Sequence, residues 1–539
     1  MKILVIGSGA TGVHFALSAL RKNHAVTIID VGVQRPPTPL PDVNFDGLKQ
    51  HLDNPVHFFL GESFEAVVLP ESHFREYYNL PASKDYVFET PEHFRYETYG
   101  LHPLVSFATG GLAEAWTGGC YPLTDTELGS FPFAYRDLEP YYGEIARRIG
   151  IGGGEDDLAE YFPHHEHLLA PVALDESSEI LLARYERRRN VLTAKHNIRM
   201  GRSRQAVLAT GVSGRDGCRY CGRCLWGCPN GALYSPAFTL RDCGAHANFS
   251  YRRGYFASHF HIVSGSLIDH MVAYPVAGGD PETFRADAFV LACGTLSTSN
   301  LFLRSIYKSA GEIIRLTGLT DNRQVLVPFL NLGMLGHSYK PDCYQYHQLA
   351  IGMLSESGQY VHGQITPLKT ATVHPIIQNL PLDLKAAISI FSNFRSSLGI
   401  LNLSFCDHRR EGNYLTLKDT SSTDQQERWP ELSIHYVPHV HEKIVIASTL
   451  AKVRHFFLQL GAPILPGLTR LRPMGSSVHY SGTLPMTREK RSWCVSENCQ
   501  SYDIQNLFVI DGAAMPHLPA KNLTFTLMAN AARVAEKAF

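Results

Sequence analysis

The spacing of apolar and polar positions changes several times along the chain, and each change marks an element. Residues 2–6 (KILVI) form a short apolar run rich in branched side chains, the pattern of a strand buried on both faces. Residues 13–22 (VHFALSALRK) carry helical spacing, and 25–30 (AVTIID) return to a buried strand. Residues 137–149 (DLEPYYGEIARRI) predict a helix with Pro140 near its start, and 286–304 (ADAFVLACGTLSTSNLFLR) predict strand, glycine turn and helix. Residues 439–460 predict a long helix and 506–511 (NLFVID) another buried strand. Residues 522–536 predict a last helix with Asn522 as its N-cap. Between 311 and 470, strand-like runs carry many aromatic and histidine residues. Tyr344, Tyr346, His347 and Gln348 fall there on a strand of ordinary alternation, and 379–403 read as an amphipathic, core-facing helix. The proline-rich stretch 35–42 is a connector, and no repeat is visible.

Length and composition narrow the class. A chain of 539 residues needs two or more domains. With 49 Lys and Arg against 50 Asp and Glu, no basic excess points to nucleic acid. No apolar run reaches the ~20 residues of a spanning helix. The first strand begins at the first residues, which leaves no room for a leader and predicts a cytoplasmic protein. The 11 cysteines are odd in number and four crowd into one loop, unlike the spread pairs of a secreted framework.

The candidate chemistry begins at residue 7. Gly7, Gly9 and Gly12, with Ala10 and Thr11 between them, sit where a strand turns into a helix, and Asp30 ends the next strand. The glycines allow the tight turn, the approach of a pyrophosphate and close helix packing. The helix N-terminus offers N–H groups to phosphates, and Asp30 would accept from an adenosine ribose. This pattern does not separate FAD from NAD.

Other segments carry a family likeness. They are SSVHYSGTLPM at 476–486, NLFVIDGAAMPHLPAKNLTFT at 506–526, the glycine–tryptophan segment at 110–116, DLEPYY at 137–142 and ACGTLSTSNLFL at 292–303. With the N-terminal fingerprint they resemble the glucose-methanol-choline (GMC) oxidoreductases. The resemblance implies an α/β fold, in which a Rossmann-like FAD-binding domain is interleaved with a substrate domain built on an antiparallel sheet flanked by helices. Residues 1–310, with inserted lid and cysteine-loop segments, would form the first. Residues 311–470 would form the second, and 471–539 would return to the first. It also implies FAD, with hydride passing from an alcohol carbon to flavin N5. His479 takes the place of the family's catalytic histidine and Asn522 that of its second catalytic residue. Gly110, Gly111, Trp116, Gly294, Asp511, Gly512, Asn522, Leu523 and Thr524 would contact the cofactor. Many members have proline after the histidine, where this chain has Tyr480. Elementary chemistry agrees with the assignment, because alcohol oxidation needs a base near neutral pH.

Cys218, Cys221, Cys224 and Cys228, closed by Pro229, have ferredoxin-like gaps. An iron–sulfur cluster, a zinc ion or plain thiols are the three readings. Sugar dehydrogenase flavoproteins of the family hold a cluster at similar spacing, which implies 3Fe-4S or 4Fe-4S here. Long-chain alcohol oxidases of the family have a similar loop. Trp226, inside it, shields a cluster, marks a partner surface or simply packs. The expected function is an FAD-dependent dehydrogenase of a sugar, glycoside or polyol. Its electrons would leave through the cluster to an external acceptor, a partner protein or quinone. The alternatives are an oxygen-using oxidase without a cluster, a biosynthetic oxidase of an aminoglycoside-like natural product, and an electron-transfer flavoprotein that needs no base.

Overall fold

A computed structural model describes the chain except residues 36–39, 63–80, 213, 368, 370–376, 378–379, 419–429 and 466. Half of the proline-rich connector, residues 36–39, therefore lies outside the described residues. In chain order, the elements that build the site begin with β1 (Lys2–Ile6), α1 (Ala10–Arg21) and β2 (Ala25–Asp30), then α2 (Tyr135–Ile149), β3 (Ile198–Arg202) and β4 (Phe249–Arg253). They continue with β5 (Ala288–Leu291), α3 (Thr295–Ala310), β6 (Gln324–Leu330), β7 (Leu349–Leu354) and β8 (Tyr360–Pro367). They end with α4 (Leu384–Phe394), β9 (Leu398–Phe405), α5 (Glu442–Gln459), β10 (Arg470–Leu471), β11 (Leu507–Val509) and α6 (Thr524–Lys537).

Four continuous apolar runs and the polar edge strand β4 form one five-stranded sheet in the order β11-β5-β1-β2-β4, parallel at every pairing. Such strands need cover on both faces. Val13 and Phe15 of α1, Leu301 and Phe302 of α3, and Phe525 and Met528 of α6 join them in one core. The sheet gathers strands from both ends of the chain. The carboxyl ends of β1, β5 and β11 thus lie side by side, where parallel α/β sheets place ligands.

A second sheet of six strands runs β10-β6-β9-β8-β7-β3, antiparallel throughout. It takes β3 from residues 198–202 and the rest from 324–471. α5 covers one face, packing Val453, Phe456 and Phe457 against Val325, Val327 and Leu401.

Three sequence readings change here. Residues 379–403 are not one helix. α4 stops at Phe394 and β9 starts at Leu398, because Leu-Gly-Ile-Leu-Asn-Leu alternates and pairs on both sides, with β6 and β8. α4 buries Ala387 and Phe391 but leaves Leu384 and Ile388 exposed, so it is not simply core-facing. Tyr344–Gln348 precede β7 and are not a strand; only Gln348 reaches the ladder, its N–H donating to the Ile365 carbonyl and its carbonyl accepting from the Ser203 N–H, both at 3.1 Å. α6 begins at Thr524 with Leu523 as its cap, so Asn522 is not the N-cap and its side chain is directed elsewhere. Among the described residues no helix is long and apolar enough to cross a membrane.

Candidate active site

The carboxyl ends of β1, β5 and β11 open onto a cavity of about 380 Å³. Gly7, Gly9, Ala10, Thr11 and Asp30 line it. Gly110, Gly111, Trp116 and Gly294 line it from two other loops, and Asp511, Gly512, Leu523 and Thr524 from the C-terminal segment. His479 and Asn522 stand in the same wall. Gly12 does not reach it. A Cβ on Gly12 would lie 2.0 Å from the Gly7 carbonyl oxygen, so this glycine serves the packing of α1 on its own turn.

Ser8, which the sequence reading passed over, binds the three loops together. Its hydroxyl donates to Asp30 and accepts from the Gly110 N–H at 3.2 Å, and its own N–H donates to Asp30 at 3.1 Å. Burial lifts the Asp30 carboxyl to about 6, against the pull of the Ser8 bonds. Asp511 is lifted to about 6 for the same reason. It accepts from the Gly294 N–H at 2.9 Å, the Ala513 N–H at 3.0 Å and the Thr298 hydroxyl, which couples the start of α3 to the C-terminal segment.

A dinucleotide fits this cradle on one observation above all. Gly9 has ordinary extended backbone, with φ −65° and ψ −179°, so its conformation does not demand glycine. A Cβ there would meet no protein atom closer than 3.9 Å. The bare position faces the cavity at the first turn of α1, where unbonded N–H groups attract phosphate.

His479 is presented by a strained turn. Thr320 and Asp321 pair antiparallel with Ser481 and Tyr480. Just before this ladder Val478 has φ +61°, a left-handed conformation that is rare for a β-branched residue and costs about 1–3 kcal/mol. The buried Asp321 carboxylate holds the turn by accepting from the Gly475 N–H and the Ser477 hydroxyl, and Ser477 Oγ accepts from the His479 N–H at 2.9 Å. Tyr480, in the place where many family members have proline, also braces it. Its hydroxyl donates to the Gly475 carbonyl at 2.6 Å and accepts from the Leu104 N–H at 2.9 Å.

The His479 imidazole lies between two amides. Nδ1 is 3.1 Å from Asn322 Oδ1, and Nε2 is 3.4 Å from Asn522 Nδ2. Asn522 Oδ1 accepts from Gln364 Nε2 at 2.7 Å. Burial, and then the nearby Arg472 guanidinium, lower the His479 pKa to about 4. The ring is therefore neutral near pH 7 and able to accept a proton.

Several residues in or beside this wall escaped the sequence reading. Gln324, Gln364 and Asn402 line the cavity from β6, β8 and β9, with Gln364 and Asn402 directly opposite one another. Gln324 and Asn402 left a signal, since each is a lone amide in a largely apolar strand and a buried amide needs a partner, whereas Gln364 shares β8 with His362 and Thr366 and left none. Arg472 and Asn322 left no comparable trace. His347 lies near the wall, because a Cβ on Gly119 would fall 3.1 Å from His347 Nε2 and 3.2 Å from Asn522 Oδ1. Tyr344, Tyr346 and Gln348 turn away. Tyr344 donates to the Thr117 carbonyl at 3.3 Å, Tyr346 to the Cys224 carbonyl at 3.1 Å, and Gln348 to the Tyr344 carbonyl at 2.6 Å.

The four loop cysteines are unpaired thiols. Tyr220, Gly222 and Gly227 have positive φ, which curls the loop, and the Cys218 and Cys224 sulfurs accept N–H groups from Tyr220 and Gln345 at 3.4 and 3.5 Å. Burial raises the Cys218 thiol to about 11 and Cys224 further. A tetrahedral zinc ion would hold sulfurs ~3.8 Å apart. Among the described residues, only His261, Asp269 and His270 gather three ligand atoms within 4.8 Å, so the thiols are not drawn around a single ion. Trp226 is buried against Phe45 and Phe59, so its role is packing and not an exposed partner surface.

Residues 412–531 match the family model described as GMC oxidoreductase. Paromamine 6'-oxidase of Streptomyces fradiae is 23% identical over 99% of this chain and 90% of that protein. The 6'''-hydroxyparomomycin C oxidase of Streptomyces lividus is 21% identical over 82% of this chain and 75% of that protein. The crystal structure of pyridoxine 4-oxidase from Mesorbium loti superposes with a TM-score of 0.60 at 14% identity, covering 99% of this chain and 98% of that one.

Proposed function

We propose that this chain is a GMC oxidoreductase, as its match to that family model over residues 412–531 and its Streptomyces relatives support, and that it oxidises a carbinol of a sugar-like small molecule of the aminoglycoside kind, with FAD as its resident cofactor. One observation carries this reading. The neutral imidazole of His479, paired with the Asn522 amide, shares a cavity wall with the dinucleotide turn.

When bound, FAD would supply a hydride acceptor at flavin N5. The first turn of α1 would hold its pyrophosphate and Asp30 its ribose hydroxyls. The chain does the rest. His479 Nε2 would take the hydroxyl proton of the carbinol, while the hydride lost from its carbon would go to the acceptor that bound FAD supplies. Asn522 Nδ2 donates to the same oxygen and holds the carbinol in line. Arg472 disfavours the protonated imidazole, so the base stays ready. Gln324, Gln364 and Asn402 suit a substrate rich in hydroxyls, and Asn402 Oδ1 has no protein partner. The names of the Streptomyces relatives point to the same substrate class.

The destination of the electrons has two readings. The relatives are named oxidases, which favours oxygen. The cysteine loop favours an external acceptor, because Cys218, Cys221, Cys224 and Cys228 would hold an iron–sulfur cluster able to store single electrons. The test is anaerobic bleaching of the purified flavoprotein by paromamine-type aminoglycosides and by neutral glycosides, with iron and labile sulfide assayed on the same sample. Bleaching by a member of either panel supports the function. A protein that takes up no FAD, or a flavin that neither panel bleaches, sinks it. Stoichiometric iron and sulfide select the external acceptor, and iron-free protein that forms peroxide selects oxygen.

The pH profile of flavin reduction gives a further expected result. With the His479 pKa lowered to about 4, the rate holds down to about pH 5 and falls only below it. Removing the cation in Arg472→Gln favours the charged ring, raises that pKa and moves the acid limb upward. A limb at the ordinary histidine value in both proteins would refute the assignment.

A further inference from the structure

We propose that Asn322 selects the tautomer of His479, and that Asn322 and Gln364 together set the direction of the hydrogen bonds running through the base. Asn322 is a positioning residue, acting on the reaction through His479. It follows Asp321 in the short ladder where Thr320 faces Ser481 and Asp321 faces Tyr480, so the next register position sets Asn322 against His479.

The orientation of its amide is settled by what surrounds it. Asn322 Nδ2 lies 2.8 Å from the Phe405 carbonyl oxygen and 2.9 Å from that of Pro519. Carbonyls only accept, so both N–H groups of the amide are committed to them. Oδ1 is left facing His479 Nδ1 at 3.1 Å, and an amide oxygen only accepts. Nδ1 therefore carries the hydrogen, and Nε2 presents a lone pair to the cavity. The opposite tautomer would put two acceptors in contact there. Flipping the Asn322 amide to accommodate it would press Oδ1 against two carbonyls.

The far side of the ring carries the matching arrangement. Gln364 Nε2 donates to Asn522 Oδ1 at 2.7 Å, which turns the Asn522 amide so that Nδ2 meets His479 Nε2 at 3.4 Å. A donor faces the atom that the near side leaves without a hydrogen. The chain of bonds thus has one sense, from Gln364 through Asn522 to His479 and on to Asn322, and two backbone carbonyls end it. Asn322 has a second effect through Pro519, which it ties to the end of β9 three residues before Asn522. One buried amide fixes the tautomer of the base and anchors the loop that carries its partner. The other groups near the ring do not compete for Nδ1, because Arg472 only donates and Asp321 is occupied by Gly475 and Ser477.

Two measurements test this on the flavin-loaded protein. With 15N-labelled histidine, the His479 signals are identified by their loss in His479→Gln. The expected spectrum at neutral pH shows Nδ1 protonated and Nε2 bare, and a protonated Nε2 overturns the proposal. In Asn322→Leu, of similar volume and without polarity, the rate of flavin reduction is expected to fall about 10²-fold while substrate Kd moves only a few-fold. A leucine variant that reduces its flavin at the wild-type rate also overturns it. Should the leucine variant not fold, the wild-type spectrum still decides. The kinetic arm rests on His479 being the base, but the spectrum does not. The expected tautomer together with a fully active His479→Ala would remove the base and leave the tautomer assignment standing.

Discussion

His479→Ala keeps its flavin and loses alcohol-dependent flavin reduction by about 10²- to 10⁴-fold, the range of a positioned general base. The substitution removes the proton acceptor and little else. The imidazole touches the Asn322 and Asn522 amides, whereas the turn that carries it is held through backbone and Asp321, with bonds from Gly475, Ser477 and the His479 N–H itself. The dinucleotide turn at Gly7–Gly12 and its tie to Asp30 through Ser8 are built from other residues. Anaerobic stopped-flow bleaching measures the loss, and flavin absorbance per protein measures retention. Reduction within a few-fold of wild type would take the proton from some other group and remove His479 from the chemistry.

Gly9→Val folds with nearly unchanged melting temperature and purifies colourless. The protein has room for a Cβ at this position, since its nearest neighbours would be 3.9 and 4.0 Å away, the backbone is extended and the residue lines the cavity. The room is on the cavity side, where a pyrophosphate would approach the first turn of α1. Gly12→Ala is the control with the opposite outcome. Its Cβ would sit 2.0 Å from the Gly7 carbonyl oxygen, so α1 is forced off its strand and the fold itself is lost. Melting curves and flavin content separate the two. A Gly9→Val protein with a full complement of flavin would show that the cofactor does not use this turn.

How far the chain could be read depended on the range of the interactions. The unit β1-α1-β2 was legible because a glycine turn, a branched apolar run and a closing acid are local in sequence and admit few conformations. The same holds for the strand–turn–helix at 286–304, where β5 and α3 formed as expected. The run 379–403 misled because its spacing serves helix and strand alike, and β6 and β8 decided for strand over its second half. Asn522 looked like a helix cap because capping is the commonest use of asparagine before a helix. Its side chain instead bonds Gln364 and His479, residues 158 and 43 positions away.

Local spacing along the chain was enough to predict the buried strands β1, β2, β5 and β11 and the glycine turn after β1, because each follows from neighbours in sequence, whereas the segment bearing His479 was marked by its family resemblance. The protonation geometry of that histidine was beyond its reach. Asn322, Gln364, Arg472, Phe405 and Pro519 come together around the ring only when a ladder of two residue pairs, the six-stranded sheet and the loop before α6 have all closed. None of these residues carries a pattern at short range, because a buried amide or guanidinium gains its role from partners that folding delivers.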